Sequence, residues 1–376
     1  MSRLSTSAKA VAIAAGLLAP PALAAPLPLS DAQLGVVSAG IDFNVTNQVS
    51  DQMGVAPVTD ANLVNAWGLS QGPGTALWVA NNGTNTSTIY NPATFAKNAL
   101  TVNTPDAPTG TTFVGLVNAF NVTSGSTSGP TLFAFATESG KIAGWNPTVD
   151  QTNAVVGVDK SGDGSVFKGL TLGLNQDRHL LFATDFANGV VVAFGPNFRQ
   201  GRSFTDPNLP PNYVPFNVQN LNGHLYVTFA QKDPGATDEN HGFGLGFVDV
   251  FDTSGNLIKR LISNGRLNAP WGLAIAPASF GQFAGALLVG NFGNGRINAY
   301  DPQTGEFLGK LTDANGAPVI IDGLWALHSG ANGTLTFSAG PSDESHGLVG
   351  SLAPATGMGM MSANVVPMTE MMMMRH

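Results

Sequence analysis

Two copies of one short motif carry the residues with the greatest potential for chemistry in this sequence. The pattern D-E-x-H-G occurs at residues 238–242 and 343–347, and together the copies use two of the six histidines. A histidine close to two carboxylates can supply metal ligands or an oriented general base. The predicted metal ligands are Asp238, His241, Asp343 and His346, and the candidate catalytic residues are His241, His346, Glu239 and Glu344. The alternative is a duplicated polar turn whose glycine needs a positive φ.

A second set of polar residues recurs where short apolar segments begin or end. Amide and carboxylate oxygens are the ligands that Ca²⁺ and Mg²⁺ prefer. Asn and Asp are equally common in β-turns, where they bond to their own backbone, so a structural role stays open. The predicted ligand-binding residues are Asn65, Asn81, Glu138, Lys168, Asp185, Asn268, Asn291 and Asp322. If both sets form one site, its cofactor would be a single divalent cation, Ca²⁺, Mg²⁺ or Zn²⁺.

These residues need a repeated scaffold, and the sequence contains one. An apolar segment of one type recurs at residues 77–80, 132–135, 181–184, 225–228, 287–290 and 335–338. A shorter apolar segment precedes each of them, at residues 115–117 in the second unit. Repeats of roughly 45 to 60 residues with three or four strands are typical of propeller blades. We therefore predict an all-β, single-domain, six-bladed β-propeller; stacked sandwiches are the alternative, but they do not give this recurrent strand pair.

The ring should close through an N-terminal strand. Residues 41–49 alternate like a strand but precede the first blade, so we expect them to form the outer strand of the last blade. The propeller then spans residues 41–354. In every blade the first strand starts, and the second strand ends, at the same end of the channel. His241 and His346 can share a site only if both face that end, together with Asp185 and Asp322.

The terminal segments differ from the repeats. Residues 1–24 resemble a signal peptide, with Arg3 and Lys9 before a short apolar core and an A-x-A cleavage site. A buried N-terminal helix is the alternative for this segment, and residues 25–40 are a predicted linker. Residues 355–376 form a predicted disordered tail, and eight of the ten methionines follow residue 355. Those thioethers with His376 could instead bind Cu(I).

Composition excludes several classes of function. The net charge of −8 and the lack of a basic cluster argue against binding to nucleic acid. There is no cysteine, so neither disulfides nor thiolate metal sites can form. No apolar run of the mature chain is long enough for a membrane span. We expect an exported protein, either periplasmic or extracellular.

Several motifs resemble those of one protein family. The matching segments are residues 50–52, 60–70, 78–84, 268–273, 290–293 and 321–327. Their combination resembles an uncharacterised family of secreted bacterial β-propeller proteins, many of which end in a PEP-CTERM sorting signal. This sequence departs from that pattern at its end, which has no PEP motif. The resemblance implies a propeller fold and export, and it implies no reaction.

Two functions remain possible at this stage. The first is an exported propeller that binds a ligand or partner at its channel mouth: a small molecule, a carbohydrate or a protein. Trp145, Tyr213 and Phe292 could stack on such a sugar or aromatic ligand. The alternative is a metal-dependent hydrolase, similar to lactonases or esterases, with a divalent ion in the channel. This alternative rests on analogy between folds, which is weak support for a particular chemistry.

Overall fold

The computed structural model describes residues 41–330 and 333–355, which form a ring of six β-sheets. Each sheet is one blade, so the predicted all-β, six-bladed propeller is confirmed. The predicted signal peptide, the predicted linker and residues 356–376 of the predicted tail lie outside the described residues. They remain predictions.

The blades follow one another along the chain, and each runs from the channel outward. In chain order the strands are β1 Phe43–Ser50, β2 Val58–Thr59, β3 Ala66–Ser70, β4 Leu77–Asn81, β5 Thr86–Tyr90, β6 Lys97–Asn103, β7 Pro108–Phe113, β8 Asn121–Ser124, β9 Thr127–Pro130, β10 Phe133–Thr137, β11 Lys141–Trp145, β12 Val155–Asp159, β13 Phe167–Asn175, β14 Arg178–Asp185, β15 Val190–Phe194, β16 Gln200–Phe204, β17 Tyr213–Leu221, β18 His224–Gln231, β19 Phe247–Phe251, β20 Leu257–Ser263, β21 Pro270–Ile275, β22 Leu287–Asn291, β23 Ile297–Tyr300, β24 Phe307–Lys310, β25 Leu324–Ser329, β26 Leu335–Ala339 and β27 Leu348–Pro354. Blades 1 to 5 begin with β3, β7, β13, β17 and β21, and blade 6 comprises β25, β26, β27, β1 and β2.

The recurrent apolar segments are the second strands of the blades. Both β4 and β22 are buried along their whole length, because blades pack against each of their two faces. Strands covered on both faces read as continuous apolar runs, which is why these segments stand out in the sequence. The outer strand β16 is exposed at its first four residues and is correspondingly polar.

The ring closes as predicted, through the N-terminal strand. Strand β1 pairs antiparallel with β27, from Phe43 opposite Pro354 to Ser50 opposite Leu348. The short β2 adds a fifth strand, parallel to β1, that we did not predict. The closure also buries Phe43, whose ring lies 4.9 Å from that of Phe280 in blade 5. The first strand of the chain therefore joins the last blade and packs against its neighbour.

The predicted first strand of blade 2 is wrong. We placed it at residues 115–117, but the inner strand is β7, and Val117 is 84% exposed. Strand β7 has the sequence PTGTTF, and because its threonines are polar it does not match the apolar pattern of the other first strands. Hydroxyls are tolerated there because they find partners; for example, Thr109 Oγ1 donates to the Phe167 carbonyl at 2.8 Å. The intervening residues include the hairpin of β8 and β9.

The inner strands approach one another closely around the channel. A Cβ atom at Gly68 would lie 2.4 Å from the Thr109 carbonyl oxygen of the next blade, and one at Gly110 would lie 2.4 Å from Leu170 N. Glycine is needed where backbones come this close. The cavity lined by inner-strand residues of all six blades measures only about 10 Å³, roughly the space of one water molecule. A larger ligand must therefore bind at an end of the channel.

Helical structure is minor within the described ranges. It comprises four short 3₁₀ segments, at Asn82–Thr84, Ser161–Asp163, Ala278–Phe283 and Phe292–Asn294. None of the helices in this part of the chain has the length and apolar character needed to cross a bilayer.

Candidate functional site

Stacked aromatic rings cover the channel at the end where the first strand of each blade starts, which we call the mouth. Trp325 stacks on Trp67 at 3.7 Å and on Phe292 at 3.8 Å between ring centroids. Phe186, Phe216 and Trp271 extend this buried group. We call these six residues the aromatic floor. The Trp-Gly pairs at residues 67–68 and 271–272 are the sequence signal for it, since the glycine lets inner strands approach while the tryptophan covers the channel end.

A set of polar side chains from five blades lies above the floor. We call it the mouth cluster; its members are Asn65, Asn82, Glu138, Lys168, Asp238, Glu239, His241 and Glu344. Loops that follow the second strands supply most of them, and Asn65 and Lys168 come from the starts of first strands. The predicted end of the channel is therefore where these side chains meet. Asn65, Glu138 and Lys168 of the predicted ligand-binding set belong to it.

Lys168 is the centre of the mouth cluster. Its side chain is fully buried, and its Nζ donates to Glu138 Oε1 at 2.5 Å and to Asp238 Oδ1 at 3.2 Å. The same ammonium lies 4.9 Å from the Trp67 ring centroid, within the range of a cation–π contact. Burial alone would lower the pKa of Lys168, but the charges of Glu138, Glu239 and Asp238 outweigh it and hold the pKa above its ordinary value. The lysine is therefore a buried cation.

A chain of hydrogen bonds links Glu138 to Glu344 across the mouth. Asn82 Nδ2 donates to Glu138 Oε2 at 2.9 Å, and Asn65 Nδ2 donates to Glu344 Oε2 at 2.6 Å. The two amides also meet, with Asn65 Nδ2 at 3.4 Å from Asn82 Oδ1. From the floor, Trp325 Nε1 donates to Asn65 Oδ1 at 2.9 Å. Asn65 therefore couples the aromatic floor to the carboxylates above it.

Glu239 and His241 form the blade 4 side of the cluster. The Glu239 side chain is only 5% exposed, and His241 Nε2 lies 3.5 Å from its Oε1. The edge of the His241 ring contacts Phe292, with 5.2 Å between the centroids. The bond to Glu239 raises the pKa of His241; burial opposes this, and the charges of Glu239 and Glu344 add to it. His241 therefore lies at the rim, half exposed, where its contact with Glu239 stabilises the protonated form.

Glu344 is held in an electrostatically unfavourable place. Burial raises its pKa, and so do the charges of Glu239 and Glu138, whereas the Asn65 bond and Lys168 lower it. The residue also has a positive φ of 64°, after Ser342 and Asp343 at 58° and 51°. Three successive non-glycine residues in the left-handed region are unusual, and each costs of order 1–3 kcal/mol. The backbone conformation that presents the Glu344 carboxylate therefore lowers the stability of the fold.

The two D-E-x-H-G copies contribute unequally to the mouth cluster: Asp238, Glu239 and His241 belong to it from the first copy, and Glu344 belongs to it from the second. His346 leaves the mouth cluster: its Nδ1 lies 2.8 Å from Asp51 Oδ2, and Gly347 N donates to Asp51 Oδ1 at 2.9 Å. Gly347 is packed tightly on Leu63 O, where a Cβ atom would lie 1.7 Å away. Within the described residues no group of three or more His, Asp or Glu side chains could hold a metal ion, so the four predicted metal ligands are not brought together.

Because His346 is bonded to Asp51 and His241 is half exposed, replacing His346 should lower the stability of the protein more than replacing His241. His346→Ala removes the bond between blade 6 and the segment after β1, so the free energy of unfolding should fall by about 1 kcal/mol. His241→Ala changes a half-exposed rim residue and should alter it by less than about 0.5 kcal/mol. Urea unfolding of both variants measures the two free-energy changes. Asp51→Asn, which alters the partner of His346, should lower stability in the same way as His346→Ala. Equal losses for both histidines would contradict the assignment.

Two of the predicted ligand-binding residues are placed as structural supports of blades 1 and 3. Asn81 is fully buried, and its Nδ2 donates to Thr86 Oγ1 and Thr88 Oγ1 at 3.1 and 3.0 Å. Asp185 Oδ1 accepts from Val166 N at 3.2 Å and also from the backbone of the turn that follows. Both side chains therefore make the local bonds that a turn or strand end requires.

The remaining predicted residues hold the loops that present the cluster. Asn268 Oδ1 accepts from Gly242 N at 2.8 Å, which fixes the end of the blade 4 motif. Asn291 Oδ1 in turn accepts from Asn268 N at 3.2 Å. In blade 6, Asp322 Oδ2 accepts from Ser342 N at 2.8 Å, at the start of the left-handed segment. These three residues position Glu239 and Glu344 without meeting them.

The aromatic residues proposed for sugar stacking are differently placed. Trp145 is 5% exposed and packs 4.7 Å from Trp78 between blades 1 and 2. Tyr213 packs against Phe247 in blade 4, at 4.7 Å. Phe292 is 9% exposed and belongs to the aromatic floor. The functional residue that sequence reasoning missed is Trp325, whose indole joins the floor to Asn65.

Comparison with known proteins identifies relatives of unknown activity. No family model matches the chain. It is 33% identical over 329 residues to uncharacterized protein R648 of Acanthamoeba polyphaga mimivirus, covering 82% of this chain and 80% of that protein. It is also 33% identical over 331 residues to uncharacterized protein L690 of the same virus, covering 82% of this chain and 85% of the relative.

Solved structures align with this chain at much lower identity. Virginiamycin B lyase from Staphylococcus aureus aligns with 83% of this chain and 99% of its own, at 12% identity and a TM-score of 0.46. Luciferin-regenerating enzyme aligns with 80% of this chain and 94% of its own, at 14% identity and a TM-score of 0.49. Likeness at this level says nothing about activity.

The viral relatives correct the family assigned from motifs. We expected a secreted bacterial family with PEP-CTERM signals, but the matching proteins belong to a virus of amoebae, and no family model supports the bacterial assignment. Three of the shared motifs include residues of the inner strands β3, β21 and β25. The chain belongs to the same family as the uncharacterized proteins R648 and L690 of Acanthamoeba polyphaga mimivirus.

Proposed function

We propose that this propeller binds a ligand through a positively charged group, an amine or a guanidinium, at the mouth cluster. The observation that carries the proposal is the imbalance of charge around Lys168. Four carboxylates, Glu138, Asp238, Glu239 and Glu344, act on this one buried ammonium. A second cation placed among them would find its counter-charges already in position.

Neutralising the buried charge of Lys168 does not require all four carboxylates. One carboxylate is enough to neutralise a buried lysine, and Glu138 already does so at 2.5 Å. Burial raises the pKa of Glu344 most, and the negative charge of Glu239 raises it further, so the two carboxylates repel each other. The left-handed segment before Glu344 adds backbone strain. Residues held at a cost to stability are typical of functional sites. A bound cation would relieve the repulsion.

The surroundings of the cluster set how a ligand would be recognised. The aromatic floor is buried beneath it, with Trp67 at 2% and Phe292 at 9% exposure, so it supports the polar side chains. Asp238 is 78% exposed and His241 is 49% exposed, and these two form the accessible rim. A charged head group would therefore bind at the surface of the mouth. Its remainder would extend outward, away from the closed channel.

Isothermal titration with n-butylammonium, arginine, putrescine and spermidine tests the proposal. We expect at least one of these cations to bind the wild-type protein. Glu344→Gln should weaken that affinity by roughly tenfold or more, because it removes a charge-assisted contact. The same variant should be more stable than wild type at neutral pH. The raised pKa means that the folded state prefers protonated Glu344, so its ionised form costs stability as pH rises through that pKa.

Matched variants separate the site from general electrostatics. Asp163→Asn removes one negative charge from the same end of the propeller, at an exposed residue between β12 and β13, and should reduce binding far less. Glu239→Gln should weaken cation binding as Glu344→Gln does. Failure of all four cations to bind, or equal affinity for wild type and Glu344→Gln, would overturn the proposal.

A further inference from the structure

A cavity of about 480 Å³ lies at the end of the propeller opposite the mouth. It is formed by the turn between β13 and β14, the turn between β15 and β16, and Thr253 and Ser254 after β19. First strands end at this face and second strands start there, which places it away from the mouth cluster. Its volume lies within the range of pockets that hold small molecules, roughly 300–1,000 Å³.

The base of this cavity is apolar. Phe182 and Phe204 line it, with their rings edge to face and 6.3 Å between the centroids. Both are buried, at 1% and 7% exposure, and Phe204 is backed by Phe251 at 5.0 Å. Leu180 completes the apolar lining. An aromatic or aliphatic group entering the cavity would meet a preformed surface.

The rim of the cavity is strongly basic. Arg178, Arg199 and Arg202 all line it, although the chain has a net charge of −8 and only eight arginines. Arg202 is held in place, because its Nη1 donates to the Ser254 carbonyl at 2.9 Å and to Asn256 Oδ1 at 3.0 Å. Three guanidinium groups around one opening form a site where planar, multiple hydrogen bonds to an anion are available.

Nearby carboxylates do not cancel this charge. Asp252 is close enough to Arg202 for the arginine to help lower its pKa. Its oxygens, however, accept hydrogen bonds from the backbone of Ser254 and Asn256 and from the Asn256 side chain. Asp252 therefore stabilises the turn after β19. Asp177 lies in the exposed turn beside Arg178. Of these five charged residues, the three arginines line the cavity and the two aspartates do not.

We propose that this cavity binds a small anion with an apolar body, such as an aryl phosphate or an aryl carboxylate. The anionic group would bind the arginines at the rim, and the apolar body would contact Leu180 and Phe204 at the base. This site and the mouth cluster have opposite charge and lie at opposite ends of the propeller. The two proposals are therefore independent, and either can fail without the other.

Titration of the wild-type protein with four probes tests the chemistry. Phenyl phosphate and benzoate carry both features, inorganic phosphate carries the charge alone, and phenol carries the ring alone. We expect at least one of the first two to bind roughly tenfold or more tightly than phosphate and phenol, since both parts of the cavity are then used. Comparing phenyl phosphate with benzoate shows which anion the arginines favour. Binding should weaken as sodium chloride is raised, because the contacts are ionic and near the surface.

Arginine variants locate the binding site. Arg178→Gln and Arg202→Gln should each weaken the preferred probe by roughly tenfold. Lys310→Gln in β24 makes the same change of charge outside the cavity and should leave affinity unchanged. Two results would overturn the proposal: phenol binding as tightly as phenyl phosphate and benzoate, or full affinity in both arginine variants. The salt dependence of the wild-type protein decides the matter if a variant fails to fold.

Discussion

Replacing Lys168 with methionine should lower the free energy of unfolding by about 3 kcal/mol. Loss of one partner from a buried ion pair costs about 3–5 kcal/mol, because the remaining charge is left without compensation. We expect the lower part of that range, since Glu138 is 26% exposed and can recover some hydration. Methionine keeps most of the aliphatic volume above Trp67, so the loss reports the missing charge. Urea unfolding at pH 7.5 measures it.

The pH dependence of this variant gives a second readout. Burial and the charge of Glu239 already raise the pKa of Glu344, and without the opposing Lys168 ammonium that pKa rises further in the folded state. The folded variant then binds more protons than the unfolded chain, so lowering the pH toward 5 should recover part of the lost stability. Lys160→Met provides a control, because the Lys160–Asp163 pair is exposed and such pairs contribute only about 0–1 kcal/mol. A Lys168→Met protein as stable as wild type at pH 7.5 would show that the lysine is not needed to balance the carboxylates.

The fold was predictable because burial leaves a direct mark on the sequence. Second strands such as β4 and β22 lie between blades and are apolar at almost every position, so they could be aligned without a structure. The closing strand β1 was predictable from its alternation and its place before the first blade. The inner strand of blade 2 was not, because β7 meets its neighbours through glycine and threonine. Close approach of backbones, rather than apolar packing, selects those residues.

The candidate site was predictable residue by residue but not as an arrangement. Glu138 and Lys168 were recognised from their positions at strand ends, yet nothing in the sequence indicates that they form an ion pair between blades. The two D-E-x-H-G copies show the limit most clearly. They share every conspicuous residue, but His241 faces Phe292 and Glu239, whereas His346 faces Asp51. The partner of His346, Asp51, is distant in sequence from both copies.

Replacing Trp325 with alanine should lower the free energy of unfolding by about 3–5 kcal/mol, the usual cost of removing a large buried ring. Trp325 is fully buried between Trp67 and Phe292, so the change leaves a cavity in the middle of the aromatic floor. It also removes the donor to Asn65 Oδ1, and Asn65 is the residue that bonds to Glu344. Below its unfolding transition, the variant should therefore also lose affinity for the cations that bind the mouth cluster.

A second buried tryptophan separates these two effects. Trp78 is 4% exposed and stacks on Phe133 at 4.3 Å, between blades 1 and 2 and away from the mouth cluster. Trp78→Ala should destabilise the protein by a similar amount while leaving cation affinity unchanged in the folded protein. Trp325→Phe should keep much of the ring stacking but lack the hydrogen bond to Asn65. Its affinity for the cations should therefore fall, while its free energy of unfolding should change much less than that of Trp325→Ala. If Trp325→Ala binds cations as wild type does, the aromatic floor supports the fold alone, and the mouth cluster is positioned without it.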